Sequence, residues 1–157
     1  MDDPLDSLDA DLDLPDPPTL PTAGDLPVST LVGGEVRRTT PDATLYEVAA
    51  LLTADNIGAL VVDDGVEGEE EAIAVVTERD LVRALASLAD PAETKVHAVA
   101  STDLVWCDAD APISEVAVLM SEQFLRHVLV EQDGELLGIV SARDLLGAYA
   151  AAEPTPE

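Results

Sequence analysis

Two tandem copies of one β-α-β-β-α unit, and hence an α+β fold, are written into this chain of 157 residues, and three features point to them. "TLYEVAALL" (44–52) aligns with "PISEVAVLM" (112–120), and "GALVVD" (58–63) with "RHVLVE" (126–131), both at an offset of 68. "AIAVVTERDLV" (72–82) aligns with "LLGIVSARDLL" (136–146) at an offset of 64. Within each copy, apolar residues switch from β-type runs to helical spacing and back in the same order. The difference of four residues falls in the acidic stretch "DGVEGEEE" (64–71), which replaces the tight turn "QDGE" and belongs in an exposed hairpin connection.

Taken in order, each copy opens with a short strand, "EVRRT" (35–39) or "LVWC" (104–107). Asp42 or Asp110 then stands where a helix N-cap is expected. The first helix follows, with Leu45, Val48, Ala49 and Leu52, or Ile113, Val116, Ala117 and Met120, on one face. Two β-rich runs come next, 58–63 with 72–76 and 127–131 with 136–140, the second pair turning at Asp133-Gly134. A final helix starts after Thr77 or Ser141 and is expected to bury Leu81, Val82 and Leu85, or Leu145, Leu146 and Tyr149. One such unit has too small a core to stand alone, so the two should pack together.

The expected organisation is an acidic, proline-rich disordered arm (1–26), repeat one (27–90), repeat two (91–150) and a frayed tail (151–157). The arm carries eight Asp, no basic residue and prolines at 4, 15, 17, 18 and 21, a composition that opposes compaction. Hydrophobic residues make up 47% of the chain but aromatics 3%, so the core must be aliphatic. No apolar run approaches the ~20 residues that cross a bilayer, and the Asp-rich start is unlike a secretory signal. A cytoplasmic protein is expected.

Thirty-three acidic residues against seven basic ones leave a net charge of −26. Such a surface repels nucleic acid and anionic membranes, and it suits solubility at high salt, where screening acts within ~3 Å at about 1 M. A polyanionic ligand meets a long-range penalty here, so one of lower charge is easier to hold.

The tandem units, with "VVTERDLV" in copy one and "RHVLVEQDGELLGIVSARDL" in copy two, resemble a pair of CBS (cystathionine-β-synthase-type) domains over roughly residues 28–150. The second copy is the closer match; the first has the longer acidic loop and Ala74 in place of Gly138. The resemblance implies two repeats packed through their sheets with pseudo-twofold symmetry, leaving two clefts that hold adenosine-containing ligands. It assigns the hydroxyl of [ST]-x-x-D to phosphate and its aspartate to the ribose, which nominates Thr77 and Asp80 for one cleft and Ser141 and Asp144 for the other. Thr40, Ile57, Gly58 and Ala59 would line the base pocket of copy one, with Asp108, Leu125, Arg126 and His127 as counterparts. It also implies a homodimer formed through exposed helices, for which the Ala- and Leu-rich final helices are suited.

Elementary chemistry gives those nominations partial support. A strand running into a helix presents unpaired N–H groups and the positive end of a dipole, and a carboxylate can accept both hydroxyls of a ribose diol. Arg79, Arg143 and Arg126 place three of the seven basic residues in or beside the nominated elements. Yet [ST]-x-x-[DE] before an apolar run is equally a capping box, and the sequence leaves both readings open. An aspartate folded back onto the hydroxyl residue's N–H favours capping; one pointing into the cleft favours ribose.

Other residue types offer less. Cys107 is alone, which excludes an internal disulfide and a cysteine-cluster zinc site, and its apolar strand suits an inert thiol. His127 reads as a packing or cleft-lining residue, and His97 has no partner at catalytic or metal-ligand spacing. Trp106 is expected to fill core or an intersubunit face. Glu69–Glu71 lack calcium-ligand spacing. With no nucleophile–base or metal constellation, the expectation is a non-enzymatic regulatory module that requires no cofactor. Its regulatory ligand would be AMP, ADP, ATP or S-adenosylmethionine, its downstream protein being unspecified. The competing reading is an interaction protein with vestigial clefts.

Overall fold

The computed structural model describes residues 22–63 and 73–152. The arm over 1–21, the acidic connection 64–72 and the tail 153–157 lie outside the described residues. Copy one comprises β1 (Arg38–Thr39), α1 (Leu45–Asp55), β2 (Ala59–Val62), β3 (Ala74–Thr77) and α2 (Glu78–Ala86). Copy two comprises β4 (Trp106–Asp108), α3 (Ile113–Glu122), β5 (His127–Gln132), β6 (Glu135–Ser141) and α4 (Ala142–Ala152). The expected unit is present twice. Each sheet has three strands, in the orders β1-β2-β3 and β4-β5-β6, with the first pair parallel and the second antiparallel. The β5–β6 turn places Asp133 (φ 54°) and Gly134 (φ 81°) in the left-handed region, as a two-residue hairpin requires.

Strand alternation divides the aliphatic residues among three cores. Leu60, Val62 and Val76 face Leu45, Val48 and Leu52 of α1, while Val128, Val130 and Val140 face Ile113, Val116 and Met120 of α3. The opposite faces, Ala59, Val61 and Val75 from one sheet and Leu129 from the other, form the third core. The repeats therefore meet through their sheets, and β2 is buried along all four residues because both its faces are covered.

The segments that precede each repeat pack on the other one. Turns at Ala23–Asp25 and Val28–Leu31 dock on copy two, and a turn at Val96–Ala98 docks on copy one. Ile113 N–H donates to Leu26 C=O at 2.9 Å, and Leu45 N–H donates to Thr94 C=O at 3.0 Å, so each lead-in satisfies an orphan donor at the start of the other copy's helix. Val28 N–H to Ala111 C=O and Val96 N–H to Ala43 C=O, both 2.8 Å, repeat the symmetry.

Three expectations need correction. Residues 22–26 do not belong to a disordered arm: Ala23 and Gly24 are buried, and a methyl group on Gly24 would lie 3.0 Å from Tyr149 Oη. The N-caps are not Asp42 and Asp110. Thr44 caps α1 reciprocally with Glu47 (Thr44 N–H to Glu47 Oε2, 2.7 Å; Glu47 N–H to Thr44 Oγ1, 3.2 Å), and those bonds hold the Glu47 carboxyl below its ordinary pKa. Pro112 occupies the corresponding place before α3, where its missing N–H costs nothing. Finally, α2 and α4 bury less than expected. Leu145 is buried and Leu81 half-buried, but Val82, Leu85, Leu146 and Tyr149 are exposed, because among the described residues only the lead-in at Gly24, beside Tyr149, approaches that face.

Candidate functional site

Two clefts lie between the repeats, and the lead-ins determine what lines them. The larger has a volume of about 910 Å³ and contains Ser141, Arg143 and Asp144 together with Ile57, Gly58 and Ala59. Val32, Gly33, Gly34 and Glu35 of the first lead-in also line it. The smaller, about 160 Å³, contains Thr77, Arg79 and Asp80 together with Leu125, Arg126 and His127, beside Ser101 and Asp103. Gly58, Glu78, Arg126 and His127 reach both.

This pairing corrects the nomination within each copy. Ile57 and Ala59 join the hydroxyl–aspartate element of copy two, and Leu125 joins that of copy one, because the sheets meet face to face and bring each connection before β2 or β5 against the opposite repeat. Thr40 and Asp108 line neither cleft. Thr40 is exposed, and Asp108 Oδ1 accepts the N–H of Asp110 at 2.8 Å in a turn.

Both aspartates are folded back. Thr77 N–H and Oγ1–H donate to Asp80 Oδ2 at 2.8 and 2.9 Å. Ser141 N–H and Oγ–H donate to Asp144 Oδ2, both at 2.7 Å, and Asp144 N–H donates to Ser141 Oγ at 3.1 Å. The capping geometry is thus present in both copies while the same residues line the clefts. The boxes use one carboxylate oxygen; a ligand hydroxyl can approach the other.

The basic residues are concentrated here. Arg37, Arg79, Arg83, Arg126 and Arg143, five of the seven in the chain, line one cleft or both. Arg37 and Arg83 are additions to the sequence nomination. Arg83 lies one helical turn beyond Arg79, a spacing visible in the sequence; Arg37 reaches the site because its lead-in does. Arg37 is paired with Asp55 (Nε to Oδ2, 2.7 Å), and Arg79 Nη1 donates to Phe124 C=O at 3.2 Å. His127 is pushed below its ordinary pKa by burial, opposed by the charges of Glu78 and Asp144. Gly58 makes room for that ring: a methyl group there would lie 3.0 Å from His127 Cε1 and Nε2.

Cys107 is half-buried, and burial, reinforced by Asp108, Glu115 and Glu131, raises its pKa and disfavours the reactive thiolate. Among the described residues, no cluster of three His, Cys, Asp or Glu side chains is arranged to hold a metal ion, and no helix is long and apolar enough to cross a membrane.

The sequence pattern of the CBS domain matches residues 28–87 and 96–151, and the chain belongs to that family. A solved CBS-domain containing protein from Agrobacterium tumefaciens is similar over 78% of this chain and 98% of its own, with 31% identity and a TM-score of 0.70. A CBS domain protein from Pyrobaculum aerophilum, solved in complex with AMP, is similar over 81% of this chain and 100% of its own, at 28% identity and a TM-score of 0.65. An uncharacterized protein from Methanopyrus kandleri is 31% identical over 120 residues, 72% of this chain; the match spans 60% of that relative's length.

Proposed function

We propose that this chain is a regulatory module, not an enzyme, which binds an adenosine-containing ligand between its two repeats and passes its bound or empty state to a partner protein in the cytoplasm. One observation carries the reading: a chain of net charge −26 gathers five of its seven basic residues at two clefts, each at the start of a helix. Elsewhere on such a surface a phosphate is repelled; here arginines and helix N-termini meet it. The AMP complex of the Pyrobaculum relative supports the choice of ligand class. Thr77 with Asp80 and Ser141 with Asp144 supply the hydroxyl and carboxylate at the two clefts.

AMP or an S-adenosyl compound is favoured over ADP and ATP because it brings less negative charge into an acidic field. Signalling requires that the ligand bind two arrangements of the repeats, or of a dimer, with different affinity. The exposed Val82, Leu85, Leu146 and Tyr149 on α2 and α4 offer a homodimer an apolar contact.

Thermal unfolding with AMP, ADP, ATP and S-adenosylmethionine, each at high salt, tests this. A ligand at 100 times its Kd adds about 2.7 kcal/mol, a rise of roughly 5–10 °C for a chain of this size. Alanine at Asp80 or Asp144 diminishes the rise according to which cleft takes the ligand. A larger rise with ATP contradicts the preference. The folded-back aspartates favour a second reading, an interaction protein whose boxes are purely structural, and no rise with any of the four would establish it in place of the first.

A further inference from the structure

The pseudo-symmetry that relates the two lead-ins in several of their bonds fails where each lead-in passes its cleft. In copy one's sheet, Val75 of β3 exchanges two backbone hydrogen bonds with Ser101, N–H to C=O in both directions at 2.9 Å. The counterparts by sequence offset are Ile139 and Gly33, and among the described residues they exchange none. Gly34 instead adopts φ +76°, a left-handed turn that glycine tolerates, and the chain leaves the sheet edge there. A second difference follows the first. Arg79 is tied to Phe124 C=O, whereas Arg143, its counterpart, makes no such bond to Asn56.

We infer that the pair is one-sited: an adenosine-type ligand occupies the cleft of Ser141 and Asp144, and the cleft of Thr77 and Asp80 is held shut by the Ser101–Val75 pairing and the Arg79–Phe124 tie. The inference rests on the ligand-binding reading above and assigns it to one cleft. Size agrees with the bonding. About 910 Å³ lies in the range of small-molecule sites, whereas about 160 Å³ falls below it. In the larger cleft Arg143 makes no bond to the neighbouring loop, although Arg37 there is paired with Asp55.

Isothermal titration of the full chain with AMP, and separately with S-adenosylmethionine, tests the assignment through stoichiometry and two variants. The expected result is one site per chain. Ser141→Ala should weaken the binding at least tenfold. Gly33→Phe should do the same by placing a ring on the lining of the larger cleft; a Cβ at Gly33 meets no protein atom within 4 Å, so the substitution starts without a clash, and far-UV circular dichroism checks that the fold is kept. Two sites per chain, or Gly33→Phe binding as tightly as wild type, overturns the one-site inference while leaving the ligand-binding reading standing. Absence of heat from the wild-type chain with both probes overturns the reading and this inference together.

Discussion

The two repeats share their helices, sheets and hydroxyl–aspartate boxes, yet the cleft at Thr77 and Asp80 is narrow and the one at Ser141 and Asp144 broad. The difference does not come from the motifs, since Asp80 and Asp144 make the same bonds. It comes from the lead-ins: Ser101 pairs with a strand where Gly33-Gly34 turns away. Cleft size in this molecule is therefore a property of segments outside the motif that carries the chemistry.

The strongest way to probe the comparison is through the two cores. Leu45 and Ile113 are equivalent and buried to 2% and 0% exposure. Alanine at either should cost ~2–5 kcal/mol, measured by urea unfolding. Similar costs and a single transition would mark the repeats as one cooperative unit; a biphasic curve would break that picture.

A smaller effect is expected where the lead-ins cross the sheets. A methyl group on Gly138 would run into Val32 Cγ1, whereas the equivalent pair in copy one is Ala74 and Ala100. Gly138→Ala should therefore cost ~1–3 kcal/mol by overpacking. Combining it with Val32→Ala reproduces the copy-one arrangement and should recover most of that loss, a non-additivity that a double-mutant cycle reads directly.

Next come the boxes. Thr77→Ala and Ser141→Ala should each lower stability by about 1 kcal/mol, and near-equal values in chemical unfolding would locate the asymmetry in the lead-ins. A markedly larger loss in one copy would place it in the motifs.

The smallest effect concerns pH. Burial depresses the pKa of His127, so the unfolded chain binds its proton more readily than the folded one. The resulting stability is present above the unfolded value of about 6.5 and is lost as pH falls through the lower folded value. Melting temperature should drop on acidification below that pH, and His127→Gln should flatten that part of the profile.

Much of the fold was legible because the repeat and the aliphatic periodicity are local signals. The helix faces of Leu45, Val48 and Leu52, and the Asp133-Gly134 turn, needed no tertiary information. The errors have separate causes. Asp42 was a plausible cap until Thr44 and Glu47, three residues apart, proved to close the box. Val82 and Leu146 form apolar stripes in the sequence, but periodicity does not say what covers a stripe. Docking of Ala23 and Gly24 is hidden by the aspartates and prolines around them.

The site was less legible than the fold. The hydroxyl and aspartate positions are encoded within each repeat, whereas Ile57 meeting Ser141, and Leu125 meeting Thr77, depends on how two sheets pack. Arg37 arrives on a lead-in whose destination no local pattern reveals.

A crystal structure of the chain grown with AMP tests the central claim most directly. The account predicts one nucleotide per chain, its ribose against Asp144 and its phosphate by Ser141, with the Ser101–Val75 pairing unbroken. A nucleotide beside Thr77 and Asp80, or an empty larger cleft in crystals grown with millimolar AMP and in others grown with S-adenosylmethionine, would contradict it.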